Sequence, residues 1–187
     1  MASIKRPART RALIDADVLH RANVRDLLLR LARQGLFRPH WSTDILSELA
    51  ISLSRRHLTT DQVDRLAQAM RTAFPDAELE GYQTLIPTLT LPDPDDVHVL
   101  AAAISGRCDV IVTCNAKDFP AAVLEPMGIV AQHPDSFIME LLHDQTAIVL
   151  ATIRAQHIDL ANPPIPFADF VAGLRAQGLS RIADLLG

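Results

Sequence analysis

The chain has 187 residues, nearly half of them apolar, and a net charge of −4. This length and apolar share suit one domain with its own core plus an appendage, and the negative balance excludes indiscriminate nucleic-acid binding. No apolar run is long enough to span a bilayer, and the basic stretch Met1–Pro7 leads into no apolar segment, so no membrane anchor or secretory leader is expected and a cytoplasmic location is.

Ala12-Leu13-Ile14-Asp15 is a short apolar run ending in an acid, and it reads as a buried strand with an exposed C-terminal end. Residues 20–34 follow as an amphipathic helix. Val24, Leu27, Leu28 and Leu31 share one stripe, and Gly35 suits the position just past the end. Leu36–Trp41 reads as the second strand. Ser42 or Thr43 then caps a helix to about Ser54, and Thr59 or Thr60 caps another that Pro75 ends. Thr88–Leu91 reads as the third strand.

In Asp93-Pro94-Asp95-Asp96 the residue types suit a helix start, with Asp93 as N-cap, Pro94 at N1 and Asp96 at N3. Val97, Leu100, Ala101 and Ile104 give that helix a buried face. Val110-Ile111-Val112-Thr113 is the β-branched run of a central parallel strand. A short helix near 120–127 leads to a fifth strand at Ile129–Ala131. This alternation predicts an α/β fold, a parallel sheet flanked by helices with right-handed crossovers. From Pro134 helices dominate, at roughly 134–144, 146–156, 166–177 and 179–186, with Asn162-Pro163-Pro164-Ile165-Pro166 as a stiff linker. The expected organisation is a sheet-bearing unit over residues 1–135 and a helical C-terminal extension over 136–187.

Acidic residues stand at the ends of several of these elements. In open parallel sheets, ligands bind beyond the C-terminal strand ends. Asp15 and Asp17 follow the first strand, Asn115 and Asp118 follow the Val110–Thr113 strand, and Asp96 lies in the first turn after the third. Glu48, one turn into its helix, can lean toward the same crevice. Carboxylates drawn together repel one another and stay ionised together only when a cation neutralises them. Such a pocket suits a hard divalent metal serving phosphoryl chemistry. Taken singly, Asp96 could be only a capping residue, Asp17 a turn residue and Glu48 a solvated helix residue; Asp95 reads as a surface charge. His98 reads as a surface or partly packed residue, and Trp41 and Tyr82 as core.

Residues 1–38 hold nine basic groups against three acids, a local balance of +6 within an acidic chain. Arg9, Arg11 and Arg38 flank predicted strands and are the candidates to steer a phosphate-bearing polyanion, although a genomic preference for arginine is the simpler cause of the excess. Cys108 and Cys114 flank a predicted strand and read as reduced thiols.

The segments Leu13–Leu19, Ser47-Glu48-Leu49, Asp96–Ala103 and Val112–Phe119, in this order, resemble the PIN-domain nucleases, and within them the VapC-type ribonuclease toxins of prokaryotic toxin–antitoxin pairs. The resemblance covers about residues 10–133. It implies a PIN-like parallel sheet, Mg²⁺- or Mn²⁺-dependent endoribonuclease activity, inhibition by a cognate antitoxin protein, and a homodimer. On it, Asp15, Glu48, Asp96 and Asp118 are catalytic. Asp15, Asp96 and Asp118 hold the metal, and Asp17, Thr113 and Asn115 support them. Two departures stand out: Asn115 occupies a position where Asp is common, and the helical tail exceeds the minimal domain. Two other readings are a weakened RNA-binding module and a phosphotransfer enzyme of the haloacid-dehalogenase type. The latter needs a Lys ahead of an acidic pair, whereas Lys117 follows Asp95-Asp96.

Overall fold

The computed structural model describes residues 10–160 and 163–187. Five parallel strands form one sheet in the order β3-β2-β1-β4-β5: β1 Arg11–Ile14, β2 Arg38–Ser42, β3 Glu78–Leu79, β4 Val110–Val112 and β5 Val130–Gln132. Leu13 sits centrally, opposite His40 on one side and Ile111 on the other. Ala12, Leu13, Ile14, Ile111 and Val112 are fully buried. Such near-continuous apolar strands are what a parallel sheet covered on both faces requires.

The α-helices are α1 Ala16–Leu19, α2 Ala22–Arg33, α3 Thr43–Ser54, α4 Thr60–Ala73, α5 Val97–Ser105, α6 Ala121–Leu124, α7 Pro134–Asp144, α8 Thr146–Asp159, α9 Phe167–Ala176 and α10 Ser180–Leu186. The stripe Val24, Leu27, Leu28 and Leu31 of α2 is wholly buried. Gly35 (φ 77°) ends α2 as expected: its amide donates to Ala32 O and that of Leu36 to Leu31 O, the paired bonds of a Schellman cap. Ser42 Oγ caps α3 by accepting from Ile45 N at 3.2 Å, and Thr59 forms a capping box with Gln62 on α4.

Three strand assignments shift. The second strand starts two residues later than Leu36 and the fifth one later than Ile129. The expected third strand at Thr88–Leu91 does not form. Pro87 and Pro92 bracket it and cannot donate to a ladder, and Ile86–Thr88 closes a 3-10 turn instead. The sheet edge is taken by the two-residue strand β3, paired Trp41↔Glu78 and Ser42↔Leu79.

The C-terminal helices share the core with the sheet. Phe37, ahead of β2, meets Phe137 of α7 edge to face at 5.0 Å. Gln156 of α8 donates to Asn23 O of α2 at 2.9 Å. Phe170, Leu174 and Ile182 are buried. Residue 135, the expected boundary, lies in α7, and segments on either side of it pack together. Asn162, at the head of the expected linker, lies outside the described residues, as does Arg9.

Asp135 shows how the tail is held. No side chain of its own start caps α10. The buried Asp135 carboxylate of α7 accepts from Arg181 N at 2.9 Å and Ile182 N at 3.2 Å instead. Asp135→Ala leaves two amides at that helix start without their acceptor. A loss of about 1–3 kcal/mol is expected, read as a lower denaturant midpoint, with Asp135→Asn losing less. An unchanged midpoint would show that the two bonds contribute nothing.

Candidate metal centre

The acids gather at the C-terminal edge of the sheet. Asp15 follows β1 directly: its amide continues the ladder to Val112 O at 3.0 Å, and its Oδ1 accepts from Ala16 N at 2.6 Å. Its side chain is almost wholly buried. Burial first, then the charge of Asp17, pushes its carboxyl up to about 7; hydrogen bonds from Thr113 and Ala16 oppose this, and the charge of Asp96 adds to it.

Asp17, in the first turn of α1, reaches across to the exit of β4. It accepts from Cys114 N at 3.0 Å and from Thr113 Oγ1 at 3.3 Å. Burial raises its carboxyl. The Thr113 hydroxyl accepts from Asn115 N at 3.1 Å, and Asn115 Nδ2 donates to Asp118 Oδ2. Asp17, Thr113, Asn115 and Asp118 thus form one relay of hydrogen bonds. The uncharged Asn115 serves as a donor that orients Asp118.

Asp96 ends a 3-10 turn, Pro94–Asp96, and α5 begins after it. It is therefore not the N3 residue of α5, and its side chain makes no cap hydrogen bond. One carboxylate oxygen of Asp96, Oδ2, is buried with no partner among the described residues. An unmatched buried acceptor is costly unless something satisfies it. Burial first, then the charges of Asp93 and Asp118, pushes Asp96 up to about 6.

Carboxylate oxygens of Asp93, Asp96 and Asp118 lie within 4.8 Å of one another. Three hard oxygen donors in that space, on a cluster whose Asp96 also carries an orphaned oxygen, suit a divalent cation. Asp15 falls outside this close triple but feels the charge of Asp96. Sequence reading missed Asp93, since its carboxylate does cap the 3-10 turn, accepting from Asp95 N at 2.9 Å. Only the convergence of Asp96 and Asp118 on it reveals the second role.

Glu48, on α3, does lean toward the centre, but it pairs with His98: Nε2 to Oε1 is 2.8 Å. Burial lowers the imidazole, yet the hydrogen bond and charge of Glu48, with Asp44 and Asp15, outweigh it and leave it raised. His98 is thus part of the centre's surroundings. Both cysteines are free thiols that burial pushes up, Cys108 to about 12 and Cys114 to about 11.

Arg11 and Arg38 do not join the acids. They face each other in register at the start of β1 and β2, at the opposite edge of the sheet, about 13 Å of strand from Asp15. Arg11 is engaged there: Nε donates to Gly106 O at 2.7 Å. Strand polarity separates the two edges: a residue that opens a parallel strand lies opposite the acids that follow it.

Two family profiles match the chain: the PIN domain over residues 10–117 and the VapC50 C-terminal domain over residues 134–187. The chain is 40% identical over 82 residues to VapC50 of Mycobacterium tuberculosis, a protein described as a candidate ribonuclease. That stretch covers 42% of this chain and 48% of the relative, so the match spans about half the length of the curated relative. No solved structure matches the chain.

The raised carboxyls fix a sign. Asp15 and Asp96 titrate higher in the fold than in the unfolded chain, so their contribution to stability is complete below the ordinary carboxylate range and is lost as pH rises through about 6 to 7. His20 and His40, lowered mainly by burial, work in the opposite direction. The clean observable is therefore the difference in Tm with and without a cation. The increment given by Mn²⁺ over EDTA is expected to grow by a few degrees between pH 5.5 and 8. An increment that is flat, or largest in acid, would contradict a carboxylate-held cation.

Proposed function

Since this chain belongs to the PIN-domain family, we propose that it is an endoribonuclease dependent on Mg²⁺ or Mn²⁺, the toxin of a toxin–antitoxin pair. The observation that carries the reading is the Asp93–Asp96–Asp118 triple with its unpartnered Asp96 oxygen. Asp96 and Asp118 would hold the cation, with Asp93 and Asp15 beside them. When bound, such a cation supplies a Lewis acid for the phosphodiester and lowers the pKa of a water.

The chain's own residues do the positioning. Asp17 ties β1 to the exit of β4 through Cys114 N and Thr113 Oγ1. Asn115 directs Asp118 toward the triple. His98 holds Glu48 at 2.8 Å, so that Glu48 adds a charge at the rim of the centre. A side-chain nucleophile is not needed for phosphodiester hydrolysis at such a centre.

The matches over residues 10–117 and 134–187 favour reading the chain as a nuclease module and a helical module joined through one core. An antitoxin segment offering a cation to the acids would inhibit by occupying the same edge, and homodimerisation accords with this class. No described helix is long and apolar enough to cross a membrane, which accords with a cytoplasmic site of action.

Asp96→Asn keeps shape and removes charge. Loss of a partner outside the ligand shell of a metal costs about 10–100-fold, so loss of a direct ligand is expected to lower RNA cleavage by more than about 100-fold while circular dichroism stays unchanged. EDTA should abolish wild-type cleavage and added Mn²⁺ restore it. Full cleavage by the variant, or in EDTA, would refute the mechanism.

A further inference from the structure

We propose that the cavity formed by His20, Arg21, Arg25, Arg56 and Gln177 binds a backbone phosphate of the RNA, one helical turn from the carboxylates. The inference rests on the nuclease reading above and adds a second contact for the same strand. The cavity measures about 380 Å³, and no carboxylate lines it.

Its cations come from separate elements. His20 and Arg21 follow α1, Arg25 lies on α2, and Arg56 stands just beyond α3. Among the described residues none of these arginines is in an ion pair. Arg25 is half-buried with a backbone carbonyl, Leu19 O, as its partner, and burial lowers its guanidinium. His20 is lowered by burial and by the charges of Arg56, Arg21 and Arg25. Asp26 acts on Arg25 and Asp17 on Arg21 as opposite charges, but neither pairs with them: Asp26 binds Arg30 at 2.8 Å, and Asp17 accepts from Thr113 and Cys114. The cavity is the electrostatic counterpart of the metal centre: like charges held together with no anion between them.

Position makes the anion a phosphate of the substrate. Asp15 and Asp17 stand at the start of α1, and His20 and Arg21 at its end, about 5 Å along the axis. Arg21 Nε donates to Asp17 O at 3.1 Å, so the two sites share a wall. A polyanion approaching an acidic edge needs a nearby cation to offset repulsion, and guanidinium matches phosphate geometry.

The helical module completes the site. Arg21 Nη1 donates to Gln177 O at 3.1 Å, and Gln177 Oε1 accepts from Asn23 N at 3.0 Å. Gly178 follows at φ 98°, and a Cβ there would lie 3.6 Å from Arg21 Nη1 and 3.5 Å from His133 Cε1. The turn between α9 and α10 therefore sets the arginine that faces both sites.

Arg56 is exposed, so Arg56→Gln tests the cavity without threatening the fold; Arg65→Gln on α4 is the control. Binding of a single-stranded RNA oligonucleotide is read by fluorescence anisotropy in EDTA, which keeps the RNA intact, across a series of salt concentrations. Arg56→Gln is expected to raise Kd up to about fivefold and to lower the slope of log Kd against log salt by about 0.7. The pair Arg25→Gln/Arg56→Gln should lower that slope by about 1.4, and Arg65→Gln should leave it unchanged. An unaltered Kd and slope in Arg56→Gln overturns the phosphate site, whatever the cleavage rate. So does unaltered RNA binding with lost inhibition by a protein partner, which would give the cavity to a carboxylate of that partner. If wild type with Mn²⁺ cleaves no RNA while Arg56→Gln still weakens binding and flattens the slope, the site stands and the nuclease reading fails.

Discussion

Repulsion between carboxylates at one edge of the sheet governs this molecule. Asp15, Asp93, Asp96 and Asp118 arrive from the end of β1, the turn before α5 and the exit of β4. None of them has a basic side chain as an ion-pair partner among the described residues. Burial and mutual charge raise Asp15 and Asp96 in the same direction. A fold keeps such a cost where function draws on it. What offsets it within the chain is a set of hydrogen bonds, from the Ala16 amide and from the Asp17–Thr113–Asn115–Asp118 relay. These fix the acids in place without neutralising them, which leaves the charge for a cation.

The same economy explains the short α1. Four residues long, it carries Asp17 at its start and delivers His20 and Arg21 at its end. Negative and positive sites are thereby placed one turn apart and cannot move independently. The helical module closes this arrangement through Gln177 and Gly178, while Asp135 secures the start of α10 behind it. The helical tail, an extension in the sequence, supplies Ala176 and Gln177 to the wall of the cavity at His20 and Arg21.

Much of the centre was legible in the sequence because strand polarity is. An apolar β-branched run followed by an acid puts that acid at the C-terminal edge, which located Asp15, Asp17 and Asp118. Asp96 followed from the helix start, although the 3-10 turn frees its side chain where an N3 position would have engaged it. Asp93 was hidden because its capping role fully accounts for it locally; its second role depends on Asp118, twenty-five residues away. The missing third strand is the same kind of failure. Glu78–Leu79 has only two residues and no periodicity, whereas Thr88–Leu91 has the right composition between the wrong prolines. Arg11 and Arg38 lie away from the acids because each opens its strand, and strand polarity puts a strand's first residue at the far edge. The cluster with Arg56 is unreadable in the sequence, because it is assembled from three elements.

On the proposed function, the acidic edge holds a cation in competition with protons. Calorimetric titration of the metal-free protein with Mn²⁺ near pH 6.5, repeated in buffers of different ionisation enthalpy, counts the protons released on binding. Asp15 at about 7 and Asp96 at about 6 are both partly protonated there, so net proton release is expected, falling toward zero at pH 8.5 and reduced in Asp96→Asn. Absence of Mn²⁺ binding, or binding with no proton release at either pH, would contradict the account.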